Sequence, residues 1–543
     1  MSRPAPLRAL GDRPAYDPFV RDRLPAVSAL PTFVFDPPFD RYPERLNAAV
    51  ELVDGALAEG AGEHVAVVND HGSWTYRDMA DLSARIAGMI RAESIVPGAR
   101  VLLRGPNSAM LIAAWLGVLK AGCIAVTTMP LLRRRDLEPI VHRAEPALAL
   151  IDGRSLPELG GVAWLEGAGC RTLLFDGDSD ACAMRARLER QAPIAATADT
   201  HRDDPAILAF TSGTTGAPKA TVHFHRDLLI PADGFSSEVL NPGPADRFCS
   251  SAPLGFTFGL GASLLFPFRA RASSVTVEQS NPAALIEAVE RHRATVLLTA
   301  PTAYRAMLPL LVGRDLSSLR LCVSAGEHLP ASTQSAWSKA TGVAVVNGIG
   351  ATEMMHIFLA SRPGETPPGS CGRAVSGYNV RIVDEAGVHL TSGTGRLAVR
   401  GPTGCRYLDD PRQSRYVVEG WNLTGDTYRL DEEGRFWFVA RSDDMIVTSG
   451  YNVAGPEVEA ALVAHHAVAE CAVVGVDDHS RGTVIKAFVV LETGYPPSVA
   501  LIAELQAHVK RTIAPYKYPR LIEFVPDLPK TPTGKVRRAE LRA

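Results

Sequence analysis

Residues 206–225 read Ala206-Ile-Leu-Ala-Phe-Thr-Ser-Gly-Thr-Thr-Gly-Ala-Pro-Lys-Ala-Thr-Val-His-Phe-His225. The first five residues are an apolar run of strand length, and a turn-rich segment follows at once. Gly213 and Gly216 permit backbone angles and a close approach that side chains would block. Successive N–H groups exposed in such a turn form an anion nest. Thr211, Ser212, Thr214 and Thr215 add hydroxyl donors, and Lys219 adds a positive charge. The group suits a polyphosphate. It is not a Walker A loop, because the spacing is Gly213-x-x-Gly216-x-x-Lys219 and Ala220 follows the lysine. On the residues alone, a flexible surface loop remains the alternative.

Around this segment, short apolar runs alternate with helical patterns. Arg100–Arg104, Ala206–Phe210, Thr295–Thr299 and Leu319–Val323 read as buried strands; Thr302–Leu311 and Ala331–Lys339 read as helices. Such alternation predicts an α/β fold with much parallel sheet. The pattern then changes. Tyr378–Ile382, Gly395–Arg400 and Gly434–Ala440 are strand-like and separated by acidic, glycine-rich turns, which predicts a smaller β region. After Arg441 comes a compact unit: a helix near Pro456–His465, strands near Val468–Val476 and Val484–Leu491, and a helix near Val499–Thr512. We therefore expect a large N-terminal domain over residues 1–441, with mixed, largely parallel sheets and several subdomains, and a small α+β C-terminal domain over 442–543.

Composition narrows the function classes. A chain of 543 residues should hold more than one domain, at roughly 100–200 residues each, or one large composite domain. Its net charge of −3 argues against a general nucleic-acid binder. The eight cysteines are scattered with no CxxC pair, so neither a zinc site nor a disulfide framework is indicated, and reduced thiols in a cytoplasm are the simple reading. The N-terminus has no apolar signal core, and residues 1–45, rich in proline, are expected to wrap the surface. Ala109–Leu132 is the most membrane-like stretch, but Lys120, Gly122 and Pro130 interrupt it; it reads as a buried helix, a turn and a buried strand.

Further motifs recur downstream. Asn347-Gly-Ile-Gly-Ala-Thr-Glu353 offers a carboxylate, which beside a phosphate site can hold Mg²⁺. Leu423-Thr-Gly-Asp426, Arg441-Ser-Asp-Asp444, Ser449-Gly-Tyr-Asn-Val453 and Pro529-Lys-Thr-Pro-Thr-Gly-Lys535 follow. Each alone reads as a turn or a solvated charge cluster. Together, and in this order, they and TSGTTGAPK resemble the adenylate-forming superfamily, which includes acyl-CoA and aryl-CoA synthetases, peptide-synthetase adenylation domains and firefly luciferase.

The resemblance implies ATP, Mg²⁺ and CoA as cofactor and co-substrates. It implies phosphate contacts from Thr211, Ser212, Gly213, Thr214, Thr215, Gly216 and Lys219, and nucleotide contacts from Gly326, Glu327, Gly348 and Ile349. Many relatives carry tyrosine where this chain has Ile349, so adenine would be held by backbone and apolar contacts. Thr352 would meet the α-phosphate and Glu353 the metal; Asp426 and Arg441 would take the ribose. Lys535 would be the catalytic lysine, Asp443 the hinge between domains, and Gly450 with Tyr451 part of the CoA tunnel.

The acyl pocket falls on Thr257, Phe258, Gly259, Ala325, Gly350, His356 and Ile357. Met354-Met-His-Ile-Phe358 resembles benzoate-type ligases, and Lys219–Leu229, Gly348–Met354, Phe256–Gly261 and Thr127–Leu137 resemble 2-aminobenzoate–CoA ligases more closely. The expected activity is conversion of anthranilate to its CoA thioester through an aryl-adenylate, releasing AMP and pyrophosphate. Benzoate, a hydroxybenzoate or a carrier-protein thiol are the alternatives. The expected partners are an aromatic acid, ATP and CoA, without nucleic acid or membrane; a homodimer and a downstream carrier protein or polyketide synthase stay open. His223 and His225 are expected to pack behind the phosphate loop.

Overall fold

The computed structural model describes residues 16–178, 183–211, 218–441, 445–448, 451–478, 482–513, 517–531 and 534–542. Two large sheets form its centre. The first has six strands in the order Arg171–Phe175, Leu148–Asp152, Arg100–Arg104, Ile124–Thr128, Pro205–Thr211 and Lys219–Phe224. All neighbours are parallel except the last pair, which is antiparallel and sets Thr211 opposite Lys219. The sheet is buried on both faces: Val101 and Leu103 enter the main core, while Leu102, Ile124 and Val126 enter a second cluster on the other side. That is why these strands are continuous apolar runs.

The second sheet has nine strands: Arg373–Ala374, Ile357–Ala360, Val345–Gly350, Leu321–Ser324, Val296–Thr299, Arg247–Ser250, Ser273–Val275, Val65–Asn69 and Gly72–Thr75. It is parallel through the middle and antiparallel at both ends. Helices Tyr76–Ala92 and Ala109–Lys120 share the main core with both sheets. Every residue of Ala109–Lys120 is buried. A helix packed on all sides must be apolar all round, and this accounts for its membrane-like composition. Ser108 caps it by accepting the Leu111 N–H at 3.1 Å, and Asp178 accepts those of Ala109 and Met110, each at 2.8 Å. Among the described residues, no helix is long and apolar enough to cross a membrane.

The predicted β region is an antiparallel sheet built on Asn379–Val383, Gly393–Arg400 and Trp421–Leu430, with Phe436–Arg441 paired to the last. Beyond it, strands Val468–Asp478, Gly482–Leu491 and Leu521–Phe524 pack with helices Gly455–Val463 and Val499–Thr512 around a separate core that includes Val458, Leu462, Val473, Val489 and Leu505.

Two sequence expectations need adjustment. The helix expected over Thr302–Leu311 is Pro301–Met307 followed by a 3₁₀ turn, Leu308–Leu310. Pro309 has no N–H to give the carbonyl four residues back, and its ring crowds that carbonyl. The N-terminal segment does more than wrap the surface. Val20 and Phe39 are buried, and the N–H groups of Thr32 and Val34 donate to Gly420 and Gly401 at 2.9 and 3.0 Å, tying it to the antiparallel sheet. The described cysteines are all unpaired and buried; Cys182 lies outside the described residues.

Candidate active site

Lys219 opens the edge strand that follows the predicted phosphate loop. Its ammonium donates to the Tyr407 hydroxyl at 3.2 Å and lies 5.1 Å from the centre of that ring. The Tyr407 hydroxyl donates in turn to Glu353 Oε1 in a short hydrogen bond. Burial raises the phenol above its ordinary pKa, and the Glu353 carboxylate raises it further. Glu353 and Thr352 sit on the 3₁₀ turn Thr352–Met354, just beyond the strand Val345–Gly350. A second tie joins the same two elements: His223 Nε2 lies 2.7 Å from the Thr352 carbonyl. A carbonyl only accepts, so the imidazole proton is on Nε2.

Asp227 lies 3.8 Å from His223 Nδ1 and accepts from Arg406 Nη1 at 2.6 Å. Burial works against its charge, but Arg406, followed by His223, holds the carboxyl well below the usual range. Asp227 also accepts the Phe224 N–H at 2.9 Å, which caps the helix His225–Pro231. His225 is buried and accepts the Ala48 N–H at Nδ1, 3.2 Å away; desolvation pushes it down to about 3. Both histidines are buried, and His223 additionally holds the backbone of the Glu353 turn; the loop they were expected to pack behind lies outside the described residues.

Asp426 and Arg441 face each other across adjacent strands, with Nη1 3.6 Å from Oδ1. Gly425, at φ 78°, keeps the backbone beside Arg441 open: an added Cβ would stand 3.2 Å from Nη2. The C-terminal lysine reaches the same region. Residues Thr531, Gly534 and Lys535 belong to a tight turn in which the Thr531 N–H donates to the Lys535 carbonyl at 2.7 Å and Thr531 Oγ1 accepts the Lys535 N–H at 3.1 Å. A Cβ on Gly534 would lie 3.8 Å from Glu327 Oε1, so the turn abuts the Gly326-Glu327 segment.

Lys535 keeps an exposed face, yet it stands in a cleft crowded with protein atoms. Desolvation there holds its ammonium below the ordinary lysine value; Glu327 opposes this, Arg441 adds to it, and Asp426 and Glu353 oppose it. Desolvation raises the Glu327 carboxyl, against the pull of Thr302 and Lys535. Among the described residues, Lys535, Glu327, Arg441, Asp426 and Glu353 thus stand near one another, and Lys219 is joined to Glu353 through Tyr407.

Of the residues expected to line an acyl pocket, His356 follows Glu353 by three positions. His356 is 3% exposed and ringed by Phe266, Phe258 and Phe235 at 4.6, 5.6 and 5.9 Å between ring centres. Its Nε2 lies 3.4 Å from the Phe258 carbonyl, and its Nδ1 is buried without a partner among the described residues. Burial pushes it down to about 3, so it is neutral at physiological pH. Gly350 pairs with Ile357, and a Cβ on Gly348 would stand 2.5 Å from Ile357 Cδ1. Helix Thr257–Leu260 presents Thr257, Phe258 and Gly259, and a Cβ on Gly259 would collide with the Pro253 carbonyl. Ala325 is buried at the end of the strand next to Val345–Gly350.

Comparison with known proteins matches residues 56–406 to the AMP-binding enzymes and residues 457–535 to the AMP-binding enzyme C-terminal domain. The chain belongs to the AMP-binding enzyme family. It is 38% identical to the benzoate–CoA ligase of Thauera aromatica over 519 residues, covering 93% of this chain and 98% of that protein. It is similar to the crystal structure of an anthranilate CoA ligase in complex with anthranoyl-AMP, with a TM-score of 0.87, 34% identity and coverage of 93% and 98%. A benzoate CoA ligase from Burkholderia xenovorans LB400 matches with a TM-score of 0.83, 34% identity and coverage of 92% and 100%. This AMP-binding enzyme is an acid–thiol ligase, with ATP and CoA as its co-substrates.

Some expected residues of the AMP-binding enzyme lie outside the described ones: Ser212, Gly213, Thr214, Thr215, Gly216, Asp443 and Gly450. Tyr451 opens the strand Tyr451–Ala454, which pairs with Met445–Thr448. The sequence reading missed Tyr407. A lone tyrosine in a loop carries no local signal; only the folded chain brings it between Lys219 and Glu353.

Away from the cleft, His465, His466 and Glu504 form a cluster with metal-ligand spacing among the described residues. His465 Nδ1 accepts the Ala467 N–H at 3.3 Å, which places the proton of the neutral ring on Nε2, facing Glu504 at 3.2 Å. Binding a metal at Nε2 would need the opposite tautomer. The cluster is explained as a hydrogen-bonded pair.

Proposed function

We propose that this ligase activates an aromatic carboxylate, 2-aminobenzoate first, through an aryl-adenylate to its CoA thioester. The observation that carries this reading is the neutral His356 within its ring of phenylalanines, three residues beyond Glu353. The rings suit a flat aromatic acid. With its proton directed from Nε2 to the Phe258 carbonyl, His356 keeps an unpaired lone pair on Nδ1. An ortho-amino group is a donor that could satisfy it.

In the first step a carboxylate oxygen attacks the α-phosphorus and pyrophosphate leaves. Lys219 would neutralise the phosphates, Lys535 the charge growing between carboxylate and α-phosphate, and Asp426 would accept from the ribose hydroxyls. Thr352 would position the α-phosphate. Glu353 offers a hard oxygen donor beside the phosphate lysine, a chemistry that fits Mg²⁺, and Glu353 would hold it with phosphate oxygens. The ion supplies positive charge that eases departure of pyrophosphate. In the second step the CoA sulfur attacks the acyl carbon and AMP leaves.

The domains in this reading are 1–441 and 442–543, with Asp443 as hinge. The separate core within 446–524 supports that division, as does the gap between the two family matches. Similarity to the Thauera benzoate–CoA ligase favours benzoate as a second reading.

The test is a panel of aromatic acids with ATP, Mg²⁺ and CoA, followed by mass spectrometry. Anthraniloyl-CoA should dominate. A kcat/KM for benzoate or a hydroxybenzoate about tenfold higher, about 1.4 kcal/mol in transition-state binding, overturns the substrate. Adenylate without CoA thioester would point to a carrier-protein thiol.

A further inference from the structure

We propose that Tyr407 is a positioning residue for the metal carboxylate: its hydroxyl links the phosphate-loop lysine to Glu353 and fixes which carboxylate oxygen is left for the ion. The inference rests on the reading of Glu353 as the Mg²⁺ ligand. Lys219 can only donate, so the tyrosine oxygen accepts from it at 3.2 Å. The phenol then has one hydrogen, and it is directed at Glu353 Oε1. The direction from lysine to tyrosine to glutamate is forced by donor inventory, and Oε2 is the oxygen this bond leaves for a metal.

Tyr407 is also held from several sides. Its N–H donates to Gln413 Oε1 at 2.9 Å, and its ring meets Tyr416 edge-on at 5.7 Å. The residues flanking it are laced to the edge strand: the Val222 N–H donates to the Arg406 carbonyl at 2.8 Å, and the Leu408 N–H to the Ala220 carbonyl at 2.9 Å. The side chain is wholly buried. A phenol so fixed selects one rotamer of Glu353. Groups that hydrogen-bond a metal ligand are typically worth about 10–100-fold in metal affinity.

The test measures binding by the full-length protein of α,β-methylene-ATP, an analogue that cannot be adenylated, by calorimetry with and without Mg²⁺. The variants are Tyr407→Phe and Glu353→Gln. Measured as the ratio of affinities with and without Mg²⁺ in the same variant, Tyr407→Phe should lose about tenfold or more of the tightening that Mg²⁺ brings. Full Mg²⁺-dependent tightening in Tyr407→Phe, with loss in Glu353→Gln, overturns the role of Tyr407 alone. Full tightening in both overturns the reading of Glu353. Should Tyr407→Phe fail to fold, 3,5-difluorotyrosine at this position keeps the ring and alters the strength of the donor. The Mg²⁺-dependent tightening should then shift, and an unchanged value counts against the proposal.

Discussion

Replacing Lys535 by alanine removes a positive charge from a cleft whose charged groups include Glu327, Arg441, Asp426 and Glu353. A unit charge pair about 3 Å apart at an effective dielectric near 20 interacts by about 5 kcal/mol. Water entering the truncated site restores part of this. A net loss of about 3–4 kcal/mol corresponds to about 10²–10³ in rate. The loss should fall on one half-reaction only. Pyrophosphate release from aromatic acid and ATP reports adenylate formation; conversion of preformed aryl-AMP and CoA to thioester reports the other half. Lys535→Ala should slow the first by that factor and leave the second nearly unchanged. A first-step loss under about tenfold, or equal losses in both halves, would refute the assignment. Alkaline pH gives an independent check. Desolvation holds Lys535 below the ordinary lysine value, so its charge is lost earlier as pH rises. Adenylate formation should therefore decline at lower pH in the unaltered enzyme than in Lys535→Arg, whose guanidinium stays charged.

Gly261→Ala would place a Cβ 3.0 Å from Phe266 Cζ and overlapping His356 Nε2. Overpacking of about 1–3 kcal/mol should raise KM for the aromatic acid while KM for ATP stays put in steady-state kinetics. Acid should weaken the fold through His225 and His356, both held neutral to about 3 by burial. The unfolded chain takes up protons that these rings refuse, so stability falls as pH drops from about 6.5 toward 3, by about 2 kcal/mol for each ring at pH 5. Urea midpoints at pH 8 and pH 5 check this, and His225→Asn should remove part of the difference. Arg406→Ala strands the buried Asp227 carboxylate and should cost about 3–5 kcal/mol, read as a fall in melting temperature that adding Asp227→Asn partly reverses.

Local signals were legible where one element settles its own character. Arg100–Arg104 and Val499–Thr512 were bounded correctly because each is a clean apolar pattern between breakers. The motifs were legible because they occur in order, and the structure brings Lys535, Glu327, Asp426 and Glu353 near one another. Pairing was not legible. Nothing near Lys219 announces that its strand runs antiparallel on the edge of an otherwise parallel sheet, or that His223 reaches the Thr352 carbonyl. Tyr407 stands 188 positions from Lys219 and 54 from Glu353. His356 shows the same limit: a lone histidine in an apolar neighbourhood reads as a core residue, and its orphaned Nδ1 emerges only once three aromatic rings close around it.

The cleft draws its groups from separately hydrogen-bonded units. Lys219 comes from the six-stranded sheet, Glu353 from the end of the nine-stranded one, Asp426 and Arg441 from the antiparallel sheet, and Lys535 from a turn after the C-terminal strands. A nucleotide held there, as proposed, would act as a fastener across these units. Its binding free energy stabilises the union of the units rather than any one of them. Affinity for ATP is therefore a gauge of assembly: a substitution that loosens any one unit, however far from the phosphates, should register as weaker nucleotide binding before secondary structure is lost.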